Sequence, residues 1–387
     1  MKTRWITALS ILTGTLVFLV LLVALSRPVY ASGVTVSGTV YYSTTPLPDV
    51  RVELVIGNAT DPPVFSTTTT VSGTFAFLGV PSGNYQLKTY GPTAEYTGWQ
   101  ASPITVGTTD IRRDVYLRKK MTLVSPPQDS VVETLSPLFC WQGLPEAVEY
   151  TLQLNKTSDW TLIDFVHHIP ATCYRTSQVL QNGVQYTWEI AATDRNGHDV
   201  GTTQSAFEFT VNTTPVTGTV QPTGVTIITS RDNNIELRFP SGVVSQTVVV
   251  HYARNNTAVT LPLVGAMNDE NGLSELTFRV MSNNNLVGVD RSFYVTAAYE
   301  STGLPADLLP GASYTITVDY ADTETGTAVE NTLALYWWDG NQWVKEPSSA
   351  VDTINNIVTA APGHFSLWAV LGETTHRLYL PLVMKNY

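Results

Sequence analysis

Residues 34–55 read VTVSGTVYYSTTPLPDVRVELV, and apolar and polar side chains alternate on both sides of a proline-rich turn. An alternation of period two is typical of strands that bury one face. We therefore predict two strands joined as a hairpin. The composition of the whole chain agrees with this pattern, because Thr, Val, Tyr and Ser abound while only 14% of residues are charged.

The alternation continues in residues 69–90, TTVSGTFAFLGVPSGNYQLKTY, where Pro81-Ser82-Gly83-Asn84 supplies a turn. In order, these motifs resemble those of the carboxypeptidase regulatory-like domain, also called transthyretin-like or Cna B-like. The resemblance covers residues 33–119. It implies a prealbumin-type β-sandwich that serves as a spacer or recognition module and has no catalytic residues.

A second region, residues 120–212, opens with LVSPPQDSVVETLSPLFCW at residues 123–141. Its later part has the L-x-x-G-x-x-Y-x-W spacing of a tyrosine corner, formed by Leu180, Gly183, Tyr186 and Trp188. Residues 120–212 thus resemble a fibronectin type III domain. The resemblance implies a second β-sandwich with Trp141 in its core.

Both cysteines of the chain, Cys140 and Cys173, lie in this second region. In an exported chain such a pair is expected to form a disulfide. The alternative is two buried free thiols on strands that never meet.

A third region, residues 216–373, follows a short polar joint and contains many further short strands. Three of its elements resemble ZU-family domains of tight-junction scaffolds and netrin receptors, and similar bacterial surface domains. They are IELRFPSGVV (residues 235–244), LYWWDGNQWV (335–344) and GHFSLWAV (363–370). We therefore predict three tandem antiparallel β-sandwiches after an N-terminal signal segment.

Trp337, Trp338 and Trp343 surround one predicted turn of the third region. Exposed indoles make flat platforms for sugar rings, so these residues are candidates for binding a glycan. Neighbouring residues of a strand face opposite sides, so at most one of Trp337 and Trp338 can lie in the core and the other is either covered or exposed. Packing at the edge of the domain is the alternative interpretation.

His364-Phe365-Ser366 is the tripeptide at which some relatives with ZU-family domains cut their own backbone. The resemblance implies that Ser366 attacks the carbonyl of Phe365 while His364 takes the hydroxyl proton. The alternative is a final strand, in which His364 and Ser366 share one face and Phe365 enters the core.

Residues 1–31 have the features of a signal peptide: Lys2 and Arg4, an apolar run, and the small residue Ala31 before the expected cleavage. An uncleaved anchor is the alternative, and it would be the only membrane contact. Residues 374–387 form an apolar tail, THRLYLPLVMKNY after Thr374. This tail could be a docking or sorting tag, or a strand that covers a sheet edge.

The formal net charge is −11. Removal of the signal segment makes it more negative still, so binding to nucleic acid or anionic membranes is not expected. We predict no cofactor and no metal, because His167-His168 would point to opposite faces and residues 194–199 suit a hairpin turn better than a calcium loop.

No sequence motif of a hydrolase, a metalloprotease or a phosphate-binding enzyme occurs in the chain. We therefore expect a protein without enzymatic activity, secreted or at the cell surface of a bacterium. Adhesion or structural work at the envelope is the first hypothesis, with an unknown extracellular protein or glycan as partner. Carbohydrate binding and self-cleavage are the alternatives.

Overall fold

The computed structural model of the chain describes residues 33–255 and 286–374. The predicted signal segment 1–31 and residues 375–387 of the predicted tail lie outside the described residues. Within the described ranges the regular structure is β-strand, apart from two short 3-10 helices, which confirms the predicted all-β class. No helix in those ranges is both long and apolar enough to cross a membrane.

The described chain divides into two compact units. Unit 1 comprises residues 33–120 together with Thr193–Thr202, and unit 2 comprises Met121–Ala192 together with residues 203–374. The division of the chain into three domains stays a prediction.

Unit 1 contains two β-sheets whose inner faces share a core, where Phe65 and Phe77 pack with ring centroids 6.0 Å apart. One sheet has the strand order β4-β3-β6-β7; the other is built on β1, which pairs with β2, β5, β8 and β9. The strands are β1 (Val34–Tyr42), β2 (Thr45–Pro46), β3 (Arg51–Val55), β4 (Pro63–Thr68), β5 (Thr74–Val80), β6 (Gly83–Tyr90), β7 (Trp99–Val106), β8 (Ile111–Arg112) and β9 (Val115–Tyr116). Two further strands lie where the units meet along the sequence, β10 (Lys119–Met121) and β18 (Asp199–Thr203).

The prediction that β1 and β3 form a hairpin is wrong, although β1 does pair with the two-residue strand β2 that follows it. β1 pairs with β5 in one sheet, whereas β3 pairs with β4 and β6 in the other. The alternation does report the buried faces correctly, because Val36 of β1 and Leu54 of β3 are both fully buried. Period two specifies which face of a strand is buried, but it does not specify the strand with which it pairs.

Unit 2 contains two pairs of sheets. The strands of the first sheet pair are β11 (Leu123–Ser125), β12 (Ser130–Val132), β13 (Leu138–Trp141), β14 (Glu149–Lys156), β15 (Leu162–Ile169), β16 (Cys173–Arg175), β17 (Gln185–Thr193) and β19 (Phe207–Val211). One of its sheets has the order β11-β13-β16, and the other contains β17-β14-β15, with β19 pairing both β17 and β12.

The second sheet pair of unit 2 follows residue 215. Its sheets have the orders β20-β23-β24-β30-β26-β27 and β21-β22-β25-β29-β28. The elements are β20 (Val216–Val220), β21 (Thr226–Thr229), β22 (Ile235–Phe239), β23 (Val248–Arg254), β24 (Leu286–Tyr299), β25 (Thr315–Asp319), η1 (Asp322–Glu324), η2 (Glu330–Thr332), β26 (Ala334–Trp338), β27 (Trp343–Lys345), β28 (Ala350–Asp352), β29 (Ile357–Ala360) and β30 (Leu367–Glu373).

The first sheet pair has the geometry of a tyrosine corner. The hydroxyl of Tyr186 accepts a hydrogen bond from the backbone N–H of Gln181 at 2.9 Å. Gly183 between them has a φ of 77°, in the left-handed region that favours glycine. Trp141 and Trp188 are buried in the same core, as the sequence pattern predicts.

Cys140 and Cys173 form a disulfide, which confirms the predicted pair. The two residues lie directly opposite each other on β13 and β16, with 4.1 Å between their Cα atoms. The bond therefore joins two neighbouring strands and closes a loop between residues 33 apart in sequence. Closing a loop of this length lowers the entropy of the unfolded chain.

We expect the double substitution Cys140→Ala with Cys173→Ala to lower the free energy of unfolding of unit 2 by about 3 to 4 kcal/mol, because the unfolded chain gains freedom. Guanidinium unfolding followed by tryptophan fluorescence measures this. Reductant should destabilise the wild-type chain by a similar amount and leave the variant unchanged. A loss below about 1 kcal/mol would contradict the expected contribution of the disulfide.

Candidate functional site

His364, Phe365 and Ser366 lie immediately before β30, so the prediction that they belong to the final strand is wrong. The strand begins at Leu367, and a bend at residues 363–364 precedes it. Phe365 does pack against the core of the second sheet pair, as the packing interpretation requires.

The side chains of His364 and Ser366 contact different neighbours. The ring of His364 stacks on Trp368, with 5.1 Å between the ring centroids. The hydroxyl of Ser366 donates to the carbonyl oxygen of Trp338 at 3.5 Å. Across residues 33–255 and 286–374, no hydrogen bond joins the His364 ring to the Ser366 hydroxyl. An acyl shift requires that bond to activate the serine.

Trp343 is buried, whereas Trp337 and Trp338 are half-buried and pack against neighbouring side chains. Trp337 contacts the large core of the second sheet pair. Trp338 and Trp343 belong to a separate, smaller cluster, where their rings lie 5.4 Å apart. Binding of a glycan by these three indoles stays a prediction. The exposed indoles of the described chain are those of Trp99 and Trp160.

His167 and His168 have separate partners. Nδ1 of His167 lies 3.2 Å from the hydroxyl of Thr151, and Nδ1 of His168 lies 2.6 Å from a carboxylate oxygen of Glu149. In the part of the chain that the structure describes, no group of three His, Cys, Asp or Glu residues could hold a metal ion.

Residues 194–199 form the hairpin turn that the sequence predicts. Oδ1 of Asp194 accepts the backbone N–H groups of Asn196 at 2.8 Å and His198 at 2.9 Å. Burial acts to raise the pKa of Asp194, but hydrogen bonds from Ser43, His198 and Asn196 outweigh it and lower the pKa to about 2. This carboxylate is thus used within the turn.

A cleft with a volume of about 270 Å³ lies in unit 2 between the two sheet pairs. One wall is largely apolar and comes from the first sheet pair, and the opposite wall, from the second, carries most of the charged groups. We call this site the charged cleft. The charged side chains of its lining are Glu133, Asp232, Arg254, Arg291, Asp319 and Glu324.

Glu133 connects the two sheet pairs across the charged cleft. Glu133 is only 3% exposed. One carboxylate oxygen accepts the backbone N–H of Arg231 at 2.8 Å, and the other accepts the hydroxyl of Tyr252 at 2.7 Å. Glu133 belongs to the first sheet pair, whereas both donors belong to the second. We call these two hydrogen bonds the Glu133 brace.

Burial raises the pKa of Glu133, and the negative charge of Asp232 adds to this effect. The hydrogen bonds of the brace and the positive charge of Arg254 act in the opposite direction, but they are smaller. The folded chain therefore holds the proton of Glu133 more tightly than the unfolded chain does.

Asp232 lies in the turn between β21 and β22 and shows the opposite behaviour. Burial acts to raise its pKa, but the positive charges of Arg254 and Arg291 outweigh burial and lower it. Its carboxylate also accepts hydrogen bonds from the Ser230 hydroxyl at 2.6 Å and the Asn234 backbone at 3.1 Å. Asp232 is therefore held in the charged form.

Arg291 completes the charged wall. Its guanidinium lies 2.8 Å from a carboxylate oxygen of Glu324, and both side chains are nearly buried. Nε of Arg291 also donates to the backbone carbonyl of Asp319 at 3.2 Å. Because a buried charge without a partner is strongly unfavourable, this pairing fixes η1 against β24.

The arrangement of the charged cleft favours attachment of the two sheet pairs over chemistry on a substrate. Both carboxylate oxygens of Glu133 accept hydrogen bonds from the protein, and Arg291 is paired with Glu324. A general acid or base must instead reach the proton that it transfers.

Sequence reasoning missed the charged cleft, although one signal was present. Arg254 follows Val248, Val250 and Tyr252 at every second position of β23, so it occupies a core-facing position. Arg291 stands in the same relation to Val289 and Phe293 of β24. A charged residue at an inward position predicts a buried partner. The position of Glu133 in the same cleft was not predictable, because its hydrogen bond goes to the backbone of Arg231, 98 positions away.

No protein-family model matches the chain, and no curated protein matches it. The solved structures that resemble it include a DUF3823 family protein from Parabacteroides merdae, 16% identical over 45% of this chain and 94% of that chain, with a TM-score of 0.20. A candidate carbohydrate-binding protein from Bacteroides uniformis is 12% identical over 46% and 96%, with a TM-score of 0.19. The shaft pilin SpaA from Lactobacillus rhamnosus GG is 11% identical over 47% and 93%, with a TM-score of 0.19.

Two substitutions in the charged cleft should change the pH dependence of stability in opposite directions. The pKa of Glu133 is raised in the folded chain, so the wild type loses stability as the pH rises above the pKa that Glu133 has in the unfolded chain. Glu133→Gln lacks this loss, so it should gain stability relative to the wild type with rising pH. The pKa of Asp232 is lowered in the folded chain, so its carboxylate stabilises the fold at a pH above the pKa that Asp232 has in the unfolded chain. This stabilisation is lost as the pH falls. Asp232→Asn should therefore be destabilised near neutral pH and approach the wild type in acid.

Urea unfolding at a series of pH values from acid to neutral measures both differences. Glu149→Gln, on the surface of the same unit, serves as the control. Parallel pH profiles for the wild type, Glu133→Gln and Asp232→Asn would show that neither carboxyl group has the assigned role.

Proposed function

We propose that this protein is a non-catalytic extracellular module of bacterial type, with a structural or adhesive role at the cell envelope. The observation that carries the proposal is the Glu133 brace, which ties the two sheet pairs of unit 2 together through buried hydrogen bonds. A protein that spaces or presents surfaces outside the cell needs such fixed geometry between its modules.

The disulfide between Cys140 and Cys173 supports a location outside the cytosol. Disulfides persist in oxidising compartments and are reduced in most cytosols. The signal segment predicted for residues 1–31 agrees with export.

The chemistry of the brace supports a structural role over a flexible tether. Domains in one chain usually move relative to each other unless their interface is large or specifically fixed. A buried carboxylate loses much of its favourable free energy when a partner is removed, so separation of the two sheet pairs is costly. The brace thus favours a single relative arrangement of the two sheet pairs.

The proposal is tested in cells that produce the protein. Protease added to intact cells should cut the chain, and alkylation without reductant should find the cysteines oxidised. Deletion of the protein should weaken attachment of the cells to their substratum. Complementation with Glu133→Ala, at equal surface amount, should restore attachment several-fold less well than the wild type, because the sheet pairs separate. The matched control Glu149→Ala, which changes an exposed ion pair with His168, should restore it fully.

A chain that is protected from protease and reduced would contradict the extracellular location. Attachment that is unaffected by the deletion would contradict the structural or adhesive role. Full restoration by Glu133→Ala would contradict the dependence of that role on the brace.

A further inference from the structure

The strand β15 forms a free edge of its sheet, since among the described residues it pairs with β14 alone. Large apolar side chains are exposed along this edge: Trp160 is 65% exposed, Leu162 55% and Phe165 48%. We call these residues the β15 edge. Proteins normally protect an edge strand with charges, proline or a covering segment, because it can pair with another chain. The composition of the β15 edge is that of an edge that receives a partner strand.

The turn that precedes β15 holds Trp160 in an unusual conformation. Its φ is 57°, a left-handed value that is rare for a bulky residue. The backbone N–H of Trp160 donates to the carbonyl of Lys156 at 2.9 Å, which fixes the turn. The chain therefore keeps an unfavourable backbone conformation while it exposes an indole, and such strain is typical of functional positions.

We infer that the β15 edge binds residues 375–387 of a second copy of this chain as an added β-strand. This inference rests on the proposed structural function and adds a partner to it. Strand addition to a free edge is a common mode of recognition, in which backbone hydrogen bonds give affinity and alternate side chains give specificity.

The sequence of residues 375–387, THRLYLPLVMKNY, fits such a strand. Leu378, Leu380, Leu382 and Met384 occupy every second position, so they share one face of a strand. The segment directly follows Thr374, the residue after β30. Residues 377–384 form a stretch of the same length as β15, which has 8 residues. If the backbone groups of the leucines form the hydrogen bonds to β15, the nitrogen of Pro381 faces away from β15. Proline has no N–H to donate, so it fits at such an outward position.

Charge complementarity supports the same partner. The segment contains Arg377 and Lys385 and no acidic residue. The chain as a whole has a net charge of −11, and Asp159 lies in the turn that precedes Trp160 of the β15 edge. Attraction between a basic strand and an acidic protein steers association and favours the correct partner.

The two surfaces of this contact are different, so each copy offers one donor segment and one acceptor edge. A contact of this kind is heterologous and continues from copy to copy into an open chain unless the rotation closes a ring. Each added copy would extend the structural module along the envelope.

Photo-cross-linking tests the inference on the full chain. Benzoyl-phenylalanine replaces Leu162, and isotopically labelled and unlabelled chains are mixed before illumination. Mass spectrometry should find cross-links from position 162 to residues 375–387, with half of them joining a labelled to an unlabelled chain in an equal mixture. The matched control carries the cross-linker at Ile227, a residue of another edge strand that is 49% exposed. It should give no cross-link to that segment.

Sedimentation equilibrium gives a second measurement. Phe165→Lys should weaken self-association roughly tenfold or more, whereas Ile227→Lys should not change it. A chain that ends at Thr374 should stay monomeric. Cross-links confined to one chain, cross-links to other segments, or association that survives loss of residues 375–387 would overturn the inference. A monomeric chain that still shows the envelope phenotype of the Glu133 brace would overturn only this inference and leave the proposed function intact.

Discussion

The carboxylate of Glu133, held between the backbone N–H of Arg231 and the hydroxyl of Tyr252, is the contact on which unit 2 depends. A carboxylate removed from water is stable only where hydrogen-bond donors replace the water. Those donors come from the second sheet pair, so the first sheet pair reaches its lowest free energy only when both are folded and attached. The charged groups around the brace have the same effect, since Arg291 and Glu324 neutralise each other in a nearly buried position.

Much of the fold could be predicted from local patterns. Alternation identified the strands and their buried faces, and the spacing of Leu180, Gly183 and Tyr186 identified a tyrosine corner that the structure contains. The disulfide was predicted from two cysteines in one region of a chain for which export was also predicted. Each of these features depends on neighbouring residues or on a simple chemical pairing, which is why the sequence alone reveals it.

Pairings over long distances could not be predicted in this way. β1 and β3 were expected to form a hairpin, but they belong to different sheets, because alternation does not encode the partner of a strand. The charged cleft was missed for the same reason, since its two walls come from distant parts of the chain. The candidate residues that local motifs did suggest, Trp337, Trp338 and Ser366, lie in contacts typical of packing. Arg254 and Arg291, at inward positions of their strands, were the overlooked indication of a buried site.

Differential scanning calorimetry of Glu133→Ala tests most directly whether the brace joins the two sheet pairs into one cooperative structure. The account predicts that unit 2 of the wild type and of Glu149→Ala melts in a single transition. In Glu133→Ala the loss of the carboxylate leaves the Tyr252 hydroxyl and the Arg231 N–H without their acceptor, so the transition should split in two, with the lower midpoint reduced by roughly 5 °C or more. A single transition at the wild-type temperature in Glu133→Ala would contradict the account.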